Sequence, residues 1–234
     1  MIVLALETSS RGGSIAILQG TAVRQSLELP PEQRSAQSLP MFIDRLLKEQ
    51  SLPAHEIELI AVTTGPGSFT GLRVGVMTAK TLAFAWGCGL LGVNTLEVIA
   101  RESEEHFSHE APRRIRAVLD AQRQQLFAAD WEHSTAGVWN SARGVEIVER
   151  ETWLKSLSAG DIVTGPGLTP LVGQLPAEVC LSPWELWQPT AGKVGRVAVE
   201  RWARGERADW RTLVPQYYRQ SAAEEKRATI VNGP

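Results

Sequence analysis

The sequence predicts an α/β fold made of two lobes. Three short apolar runs open the chain and are separated by glycine-containing turns, as in strands joined by hairpins. Apolar runs of strand length then alternate with stretches of helical period. A strand followed by Gly-Pro-Gly occurs twice, at 65–67 and at 165–167, which indicates a duplicated βββαβα plan.

The first lobe is predicted to span residues 1–105, with its elements in the order βββαβαβα. Pro30 and Pro31 end the opening meander, and Ser68 and Thr70 are good N-cap residues for the helix that follows the fourth strand. The expected strands are 2–6, 14–18, 21–29, 57–63 and 89–93, and the expected helices are 35–50, 70–86 and 95–105.

The second lobe is predicted to span residues 106–221, followed by a loose tail at 222–234. The polar segment 106–114 is interpreted as the linker between the lobes. A helix at 191–205 is expected to pack back on the first lobe. The expected strands are 115–119, 126–131, 144–148 and 161–164, and the expected helices are 152–157 and 194–204.

The charge balance argues against an autonomous nucleic-acid binder. The chain has 24 Lys and Arg against 26 Asp and Glu, a formal net charge of -2. Proteins that grip nucleic acid by themselves usually carry a basic excess, because phosphate neutralisation supplies much of their affinity. We therefore expect any contact with RNA to depend on another protein.

The chain is expected to be cytoplasmic. Glu7 interrupts the apolar N-terminus, which therefore resembles a strand and not a signal peptide. No apolar stretch approaches the roughly 20 residues that cross a bilayer. The two cysteines, Cys88 and Cys180, are expected to be buried thiols in a reducing compartment, and they are too few for a zinc site.

A polar motif ends the first strand. A carboxylate and hydroxyls at this position could hold a phosphate or its Mg²⁺. They could equally be a polar strand end whose hydroxyls cap the turn. The residues of the motif are Glu7, Thr8, Ser9 and Ser10.

The turn after the fourth strand also has two interpretations. Exposed N–H groups at the start of a helix attract anions, so Gly65, Gly67 and Ser68 are candidates for binding a nucleotide or another anion. No Gly-Lys-Ser/Thr follows, so this is not a Walker A loop. The alternative is a capped turn that binds nothing.

Small side chains recur every four residues on the helix behind this turn, at Gly71, Gly75, Ala79 and Ala83. Such a stripe allows another backbone to approach closely. We expect it to face a partner protein, with packing on the chain's own sheet as the alternative. The predicted partner interface comprises Arg73, Gly75, Met77, Ala79, Ala83, Leu39 and Phe42.

The sequence offers no convincing catalytic or metal site. Asp120 and Arg123 could orient a substrate or pair across a hairpin. His106 and His109 lie in the predicted linker and are interpreted as part of a solvated charged run. Of the eight tryptophans, four are expected to form one cluster that packs the last helix on the second lobe: Trp184, Trp187, Trp202 and Trp210.

These motifs resemble those of the bacterial TsaB (YeaZ) family over nearly the whole chain. The segment GPGSFTGLRVG at 65–75 is the most specific of them. The other matching segments are LALETS at 4–9, LGVNTL at 91–96, LDA at 119–121 and PQYYR at 215–219.

The resemblance implies a two-lobed, ribonuclease H-like fold of the actin/Hsp70/sugar-kinase (ASKHA) superfamily. It also implies a non-catalytic subunit that binds the transferase TsaD through the first two helices, in a complex with the ATPase TsaE that makes N6-threonylcarbamoyladenosine in tRNA next to the anticodon. This chain would need no cofactor, although ATP or ADP could act in the complex. It would reach tRNA only through the complex and form a homodimer when alone.

One segment bears on catalysis. TsaD-like enzymes carry a metal-binding His-x-x-x-His after a similar Gly-Val-Asn, and Thr95 and Ile99 stand at those two positions here. The resemblance therefore implies no metal site and no transfer by this chain alone. The alternative hypothesis is an ATP-using kinase or ATPase-like enzyme of the same superfamily, with Glu7 in its site.

Overall fold

The computed structural model describes residues 1–30, 38–107, 114–133 and 139–219. Within these ranges the chain forms two five-stranded sheets, each covered by helices. None of the helices in the described ranges combines the length and the hydropathy of a membrane span.

The first sheet has the strand order β3-β2-β1-β4-β5. β1 is antiparallel to β2 and parallel to β4, and its Leu6 lies opposite Val62. β1 and β4 therefore end at the same edge of the sheet, which brings the two predicted motifs together. The strands are β1 (Ile2–Glu7), β2 (Ser14–Gln19), β3 (Ala22–Glu28), β4 (Leu59–Gly65) and β5 (Gly89–Asn94).

Alternating residues of β1 pack into two different cores, because successive strand side chains point to opposite faces. Leu4 and Leu6 pack beneath helices α1 (Ser38–Glu49) and α2 (Phe69–Trp86). Val3 and Ala5 pack beneath α5 (Ala191–Ala203), a helix that follows the second sheet in the chain. Gly195 of α5 fits against Leu18 of β2, so the contact between this helix and the first sheet is close.

The second sheet repeats the topology of the first. Its order is β10-β9-β6-β7-β8, with three antiparallel strands followed by two parallel ones. The duplicated two-lobed plan expected from the sequence is confirmed. The elements are β6 (Arg114–Asp120), β7 (Gln125–His133), β8 (Trp139–Glu149), α4 (Arg150–Lys155), β9 (Ile162–Thr164) and β10 (Cys180–Leu181).

Helix α3 (Thr95–Phe107) joins the lobes. Leu96, Ile99 and Ala100 pack with residues of β6 and β9 in the second lobe. Helix α3 also contacts α5, where the Glu97 carboxylate pairs with Arg201 at 3.1 Å. The predicted linker at 106–114 is thus shorter than expected, since α3 continues to Phe107 and β6 begins at Arg114, while 108–113 lie outside the described residues.

The predicted tryptophan cluster is wrong. Trp187 packs in the second lobe, whereas Trp202, which lies on α5, packs against the first sheet and Trp210 packs beside the core under α1 and α2. Trp184 is mostly exposed. Residues close in sequence face different cores here, because the chain crosses from one lobe to the other between them.

The thiols also differ from expectation. Cys88 and Cys180 are half-buried, not fully buried, and neither is part of a disulfide. Burial raises the pKa of the Cys88 thiol above its usual value, which disfavours the reactive thiolate.

Candidate functional site

The carboxylate of Glu7 is fully buried and is bound by its own turn. Ser9 donates to it from the backbone N at 2.6 Å and from Oγ at 2.5 Å. Ser10 donates from its backbone N at 3.1 Å and from Oγ at 2.6 Å. Burial raises the pKa of Glu7, against the lowering effect of these four donors. The carboxylate thus braces the β1–β2 turn in this conformation.

The glycine turn packs directly against this brace. The backbone N of Ser68 donates to the Ser9 carbonyl oxygen at 2.7 Å. A Cβ built on Gly67 would lie 2.6 Å from the Ser9 Cβ. A phosphate between the two loops would have to displace Ser9. Anion binding by this set stays a prediction: Glu7, Thr8, Ser9, Gly65, Gly67 and Ser68.

The turn instead starts α2. Gly65 adopts φ +125°, a region that favours glycine. The Ser68 Oγ accepts a hydrogen bond from the backbone N of Gly71 at 3.3 Å and so caps the helix. This is the capped turn that the sequence left open as the alternative.

The stripe of small residues packs inside the chain and faces Thr8, the residue after β1, which is the alternative that the sequence left open. A Cβ on Gly71 would overlap the Thr8 carbonyl oxygen, and one on Gly75 would overlap the Thr8 Oγ1. Ala79 and Ala83 are buried in the core beneath α2. Four of the seven predicted interface residues are therefore unavailable to a partner in this conformation: Leu39, Gly75, Ala79 and Ala83.

The opposite face of α2 is exposed and partly apolar. Met77 is 63% exposed and Phe84 is 65% exposed, and Arg73 lies one turn before Met77 on the same side. Met41, 70% exposed, lies on α1, where Phe42 is half-buried against the core. We call the exposed side chains of Met41, Arg73, Met77 and Phe84 the outer helical face.

Sequence reasoning missed Met41 and Phe84. The available signal was the helical period itself, because residues off the buried stripe must point outward. The predicted interface included two outer positions, Arg73 and Met77, but it combined them with the stripe.

The C-terminal segment supports α2 from one side. The Arg73 Nε donates to the Tyr217 hydroxyl at 3.0 Å, and its guanidinium lies 4.0 Å from the Phe69 ring centroid. The rings of Phe84 and Trp210 are 4.7 Å apart. Both ends of α2 are thus in contact with residues more than a hundred positions later in the sequence.

The positions of the two missing histidines are not suited to a metal. Thr95 is buried, and its hydroxyl has no hydrogen-bond partner within the described residues. Ile99 is part of the core between α3 and the second sheet. Across the described ranges, no three His, Cys, Asp or Glu side chains lie close enough together to hold a metal ion.

Asp120 contacts its own hairpin and the start of α4. Its carboxylate accepts from the Gln122 backbone N at 3.0 Å and from the Arg150 Nη2 at 3.1 Å. Gln122, Arg123 and Gln124 all have positive φ and form the tight turn between β6 and β7. A role of Arg123 in orienting a substrate stays a prediction.

A polar cleft of about 540 Å³ opens beside the β1–β2 turn, at the start of α5. Charges of both signs line it. Glu102 lies 4.0 Å from the Lys193 Nζ and 3.7 Å from Arg196 Nη1, so one carboxylate partly offsets the two cations of α5. Arg11 and Glu28 add one further charge of each sign to its lining.

The chain is similar to known proteins in both sequence and fold. A family model described as "TsaD: tRNA N6-adenosine threonylcarbamoyltransferase" matches residues 31–147, half of the chain. The tRNA threonylcarbamoyladenosine biosynthesis protein TsaB of Escherichia coli K12 is 26% identical over 231 residues, covering 97% of this chain and 98% of that protein. TsaB of Bacillus subtilis 168 is 28% identical over 162 residues, covering 69% of this chain and 68% of that protein.

A solved structure shares the whole architecture. YeaZ from Pseudomonas aeruginosa superposes with a TM-score of 0.74 at 24% identity, and the match covers 92% of this chain and 99% of that one. The actin-like two-lobed fold follows from this likeness together with the duplicated strand order. On the sequence matches and this fold, the chain belongs to the TsaD family and, within it, to the TsaB (YeaZ) proteins.

Proposed function

We propose that this chain is a non-catalytic subunit in the synthesis of N6-threonylcarbamoyladenosine in tRNA, and that it binds and activates TsaD. Its relatives are named for biosynthesis of this nucleoside. The observation that carries the proposal is the outer helical face, which exposes Met41, Met77 and Phe84 on the first two helices.

Exposed apolar side chains on two neighbouring helices are suited to burial against another protein. Burying one Met or Phe side chain contributes about 1.5–3 kcal/mol, so three of them supply a substantial part of the free energy of a stable complex. Arg73 adds a side chain of a kind enriched at interaction hot spots. Its contact with Phe69 and Tyr217 pre-orders it for docking.

The absence of chemistry in this chain is part of the proposal. The Glu7 carboxylate, the best candidate for a catalytic group, is bound by Ser9 and Ser10 in the chain's own turn. Thr95 and Ile99 offer no imidazole for a metal. TsaE joins the complex as the ATPase, tRNA is reached through TsaD, and the free chain forms a homodimer through the same outer face.

The test is a binding and activity assay with TsaD and TsaE from the same organism. We expect the wild-type chain to bind TsaD by titration calorimetry and to be required for threonylcarbamoyl transfer, while having no transfer activity alone. Met77→Lys should weaken TsaD binding at least tenfold. Val172→Lys is the matched control, because Val172 is 45% exposed on the second lobe, away from this face.

Two results would oppose the proposal. Unchanged TsaD affinity of Met77→Lys would exclude the outer helical face as the binding surface. Threonylcarbamoyl transfer by the chain alone would exclude a non-catalytic role.

A second candidate is an ATP-using enzyme, favoured by the polar cleft beside the β1–β2 turn. It requires ATP hydrolysis by the purified chain and its loss in Glu7→Gln. Because Glu102 partly offsets the charges of Lys193 and Arg196, this cleft is a weaker anion site than the same cations alone would be.

A further inference from the structure

The segment 208–219, which we call the C-terminal strap, runs across the first lobe without regular secondary structure. Its Ala208 backbone N donates to the Leu90 carbonyl oxygen at 3.0 Å, and its Gln216 backbone N donates to the Thr64 carbonyl oxygen at 2.7 Å. Leu213 fits against the face of Gly92, where a Cβ would lie 2.8 Å from its Cδ1. The strap is therefore attached to β5 and to the end of β4.

The strap next contacts the start of α2. The Tyr217 ring lies 4.6 Å from the Phe69 ring, and its hydroxyl accepts from Arg73. Gly65 has no room for a side chain, because a Cβ there would lie 2.6 Å from the Gln216 carbonyl oxygen. Strap and helix start are thus packed without a gap.

The following two residues reach the second lobe. Tyr218 accepts from the Asn94 Nδ2 at 3.2 Å, and its ring lies 6.3 Å from that of Phe127 on β7. Arg219 donates to the Ala121 carbonyl oxygen and to the Gln125 side chain, both in the β6–β7 hairpin.

The spacing of these contacts leaves little slack beyond the reach of the Arg219 side chain. Two residues of extended chain span at most about 7 Å, so Tyr217 cannot stay on α2 while Arg219 follows a large movement of the second lobe. A displacement of the β6–β7 hairpin must either stretch this connection or break one of its two ends.

We propose that the strap couples the orientation of the second lobe to the start of α2, and thereby regulates the outer helical face through Arg73. The part of this inference that concerns binding rests on the proposed function. The mechanical coupling itself concerns this chain alone.

Amide hydrogen exchange of the full chain tests the coupling without any partner. Arg219→Met removes the anchor on the second lobe and touches nothing on α2. We expect it to speed exchange at least threefold in residues 69–76, as well as in the strap and the hairpin. Arg219→Lys, a milder variant that keeps the charge, should give a smaller change in the same residues.

Arg211→Ala is the control on the strap itself, because the Arg211 side chain is exposed and contacts its strap neighbours, pairing with Asp209 at 3.6 Å and lying 5.0 Å from the centroid of the Trp210 ring. It should leave exchange in 69–76 unchanged. Faster exchange confined to 214–219 and 119–127 in both Arg219 variants would overturn the coupling.

A separate experiment measures the affinity of the variants for TsaD. If the strap regulates the face, Arg219→Met lowers TsaD affinity at least threefold, and unchanged affinity overturns the regulatory part. If the wild-type chain does not bind TsaD, the proposed function fails, while the exchange result still decides whether the lobes are coupled.

Discussion

Thr8, the residue after β1, occupies the space that Gly75 of α2 leaves open. A Cβ on Gly75 would overlap the Thr8 Oγ1 and would lie 3.0 Å from its Cγ2. Helix α2 can lie this close to the strand end only because position 75 has no side chain. The helix start, and with it the outer helical face, is therefore positioned by a contact inside the chain.

This contact predicts that Gly75→Ala destabilises the protein. Alanine gains about 1 kcal/mol in helix propensity over glycine, but the overlap with Thr8 costs about 1–3 kcal/mol, so we expect a net loss in the free energy of unfolding. Thr8→Ala alone should have a small effect, because the buried Thr8 hydroxyl has no partner within the described residues.

The double variant Thr8→Ala/Gly75→Ala should recover part of the loss, since the overlapping Oγ1 is gone. Urea unfolding of the four proteins gives the coupling free energy between the two sites. Additive effects would show that the helix shifts freely and that the contact does not position it. A bulky Gly75→Leu should fail to fold.

A second prediction concerns the buried charges of the second lobe. Arg116 is buried, and it donates to Asp130 at 3.1 Å and to the carbonyl oxygen of Ser156 at 2.8 Å. The Arg116 Nη1 also lies 3.4 Å from Asp161, which pairs with Arg114 as well, so removing Asp130 leaves one carboxylate for two arginines. Removing one partner of a buried ion pair typically costs about 3–5 kcal/mol. We therefore expect Asp130→Ala to lower the free energy of unfolding by several kcal/mol in urea titrations.

The control for this prediction is an exposed pair. Asp44 and Lys48 are 2.7 Å apart on the surface of α1, so Asp44→Ala should cost less than about 1 kcal/mol. Equal losses in the two variants would mean that the Arg116 network contributes no more than a surface ion pair.

A third prediction follows from the buried carboxylate of Glu7. Burial raises its pKa in the folded protein above the ordinary value of about 4.3. The folded state then binds the proton more tightly than the unfolded state does. The contribution of Glu7 to stability is greatest below the unfolded pKa, and it declines as the pH rises through the folded pKa.

The measurement is the free energy of unfolding of wild type minus that of Glu7→Gln, from about pH 4 upward. We expect this difference to fall with pH and then to level off. A carboxyl-carbon NMR titration of Glu7 should have its midpoint above 4.3. A difference that rises with pH would mean that the donors Ser9 and Ser10 outweigh burial and lower the pKa.

The long helices and strands were predictable from sequence because their apolar residues recur with a clear helical or strand period. The apolar run of β1, the strand–turn–helix at 59–86 and the repeated Gly-Pro-Gly gave the lobes and most element positions. Strand β10 was missed because it consists of two residues, Cys180 and Leu181, which are too few to show an alternating apolar pattern. The strap was missed because backbone hydrogen bonds such as that from Gln216 to Thr64 leave no mark on the sequence.

The site was predicted less well than the fold. A small-residue stripe looks the same whether Gly75 and Ala79 face a sheet or another protein, so sequence alone could not choose between them. The bracing of the turn by Glu7 did have a local signal. Ser9 and Ser10 follow the carboxylate closely in sequence, and an acidic side chain often accepts hydrogen bonds from residues that come shortly after it in a turn. The sequence could not show that Ser9 contacts the glycine turn, where the Ser68 backbone N donates to it.

The last prediction concerns the homodimer proposed for the free chain. If two copies associate through the outer helical face, TsaD and a second copy compete for the same side chains. Met41→Lys places a strongly hydrated ammonium where a 70% exposed methionine would become buried, and desolvating it opposes both associations. We expect both dissociation constants to rise at least tenfold, or about 1.4 kcal/mol.

Sedimentation equilibrium of the chain alone and calorimetry with TsaD measure the two dissociation constants, with Val172→Lys as the control on the second lobe. A weakened dimer with an unchanged TsaD affinity would show that the two partners use different surfaces.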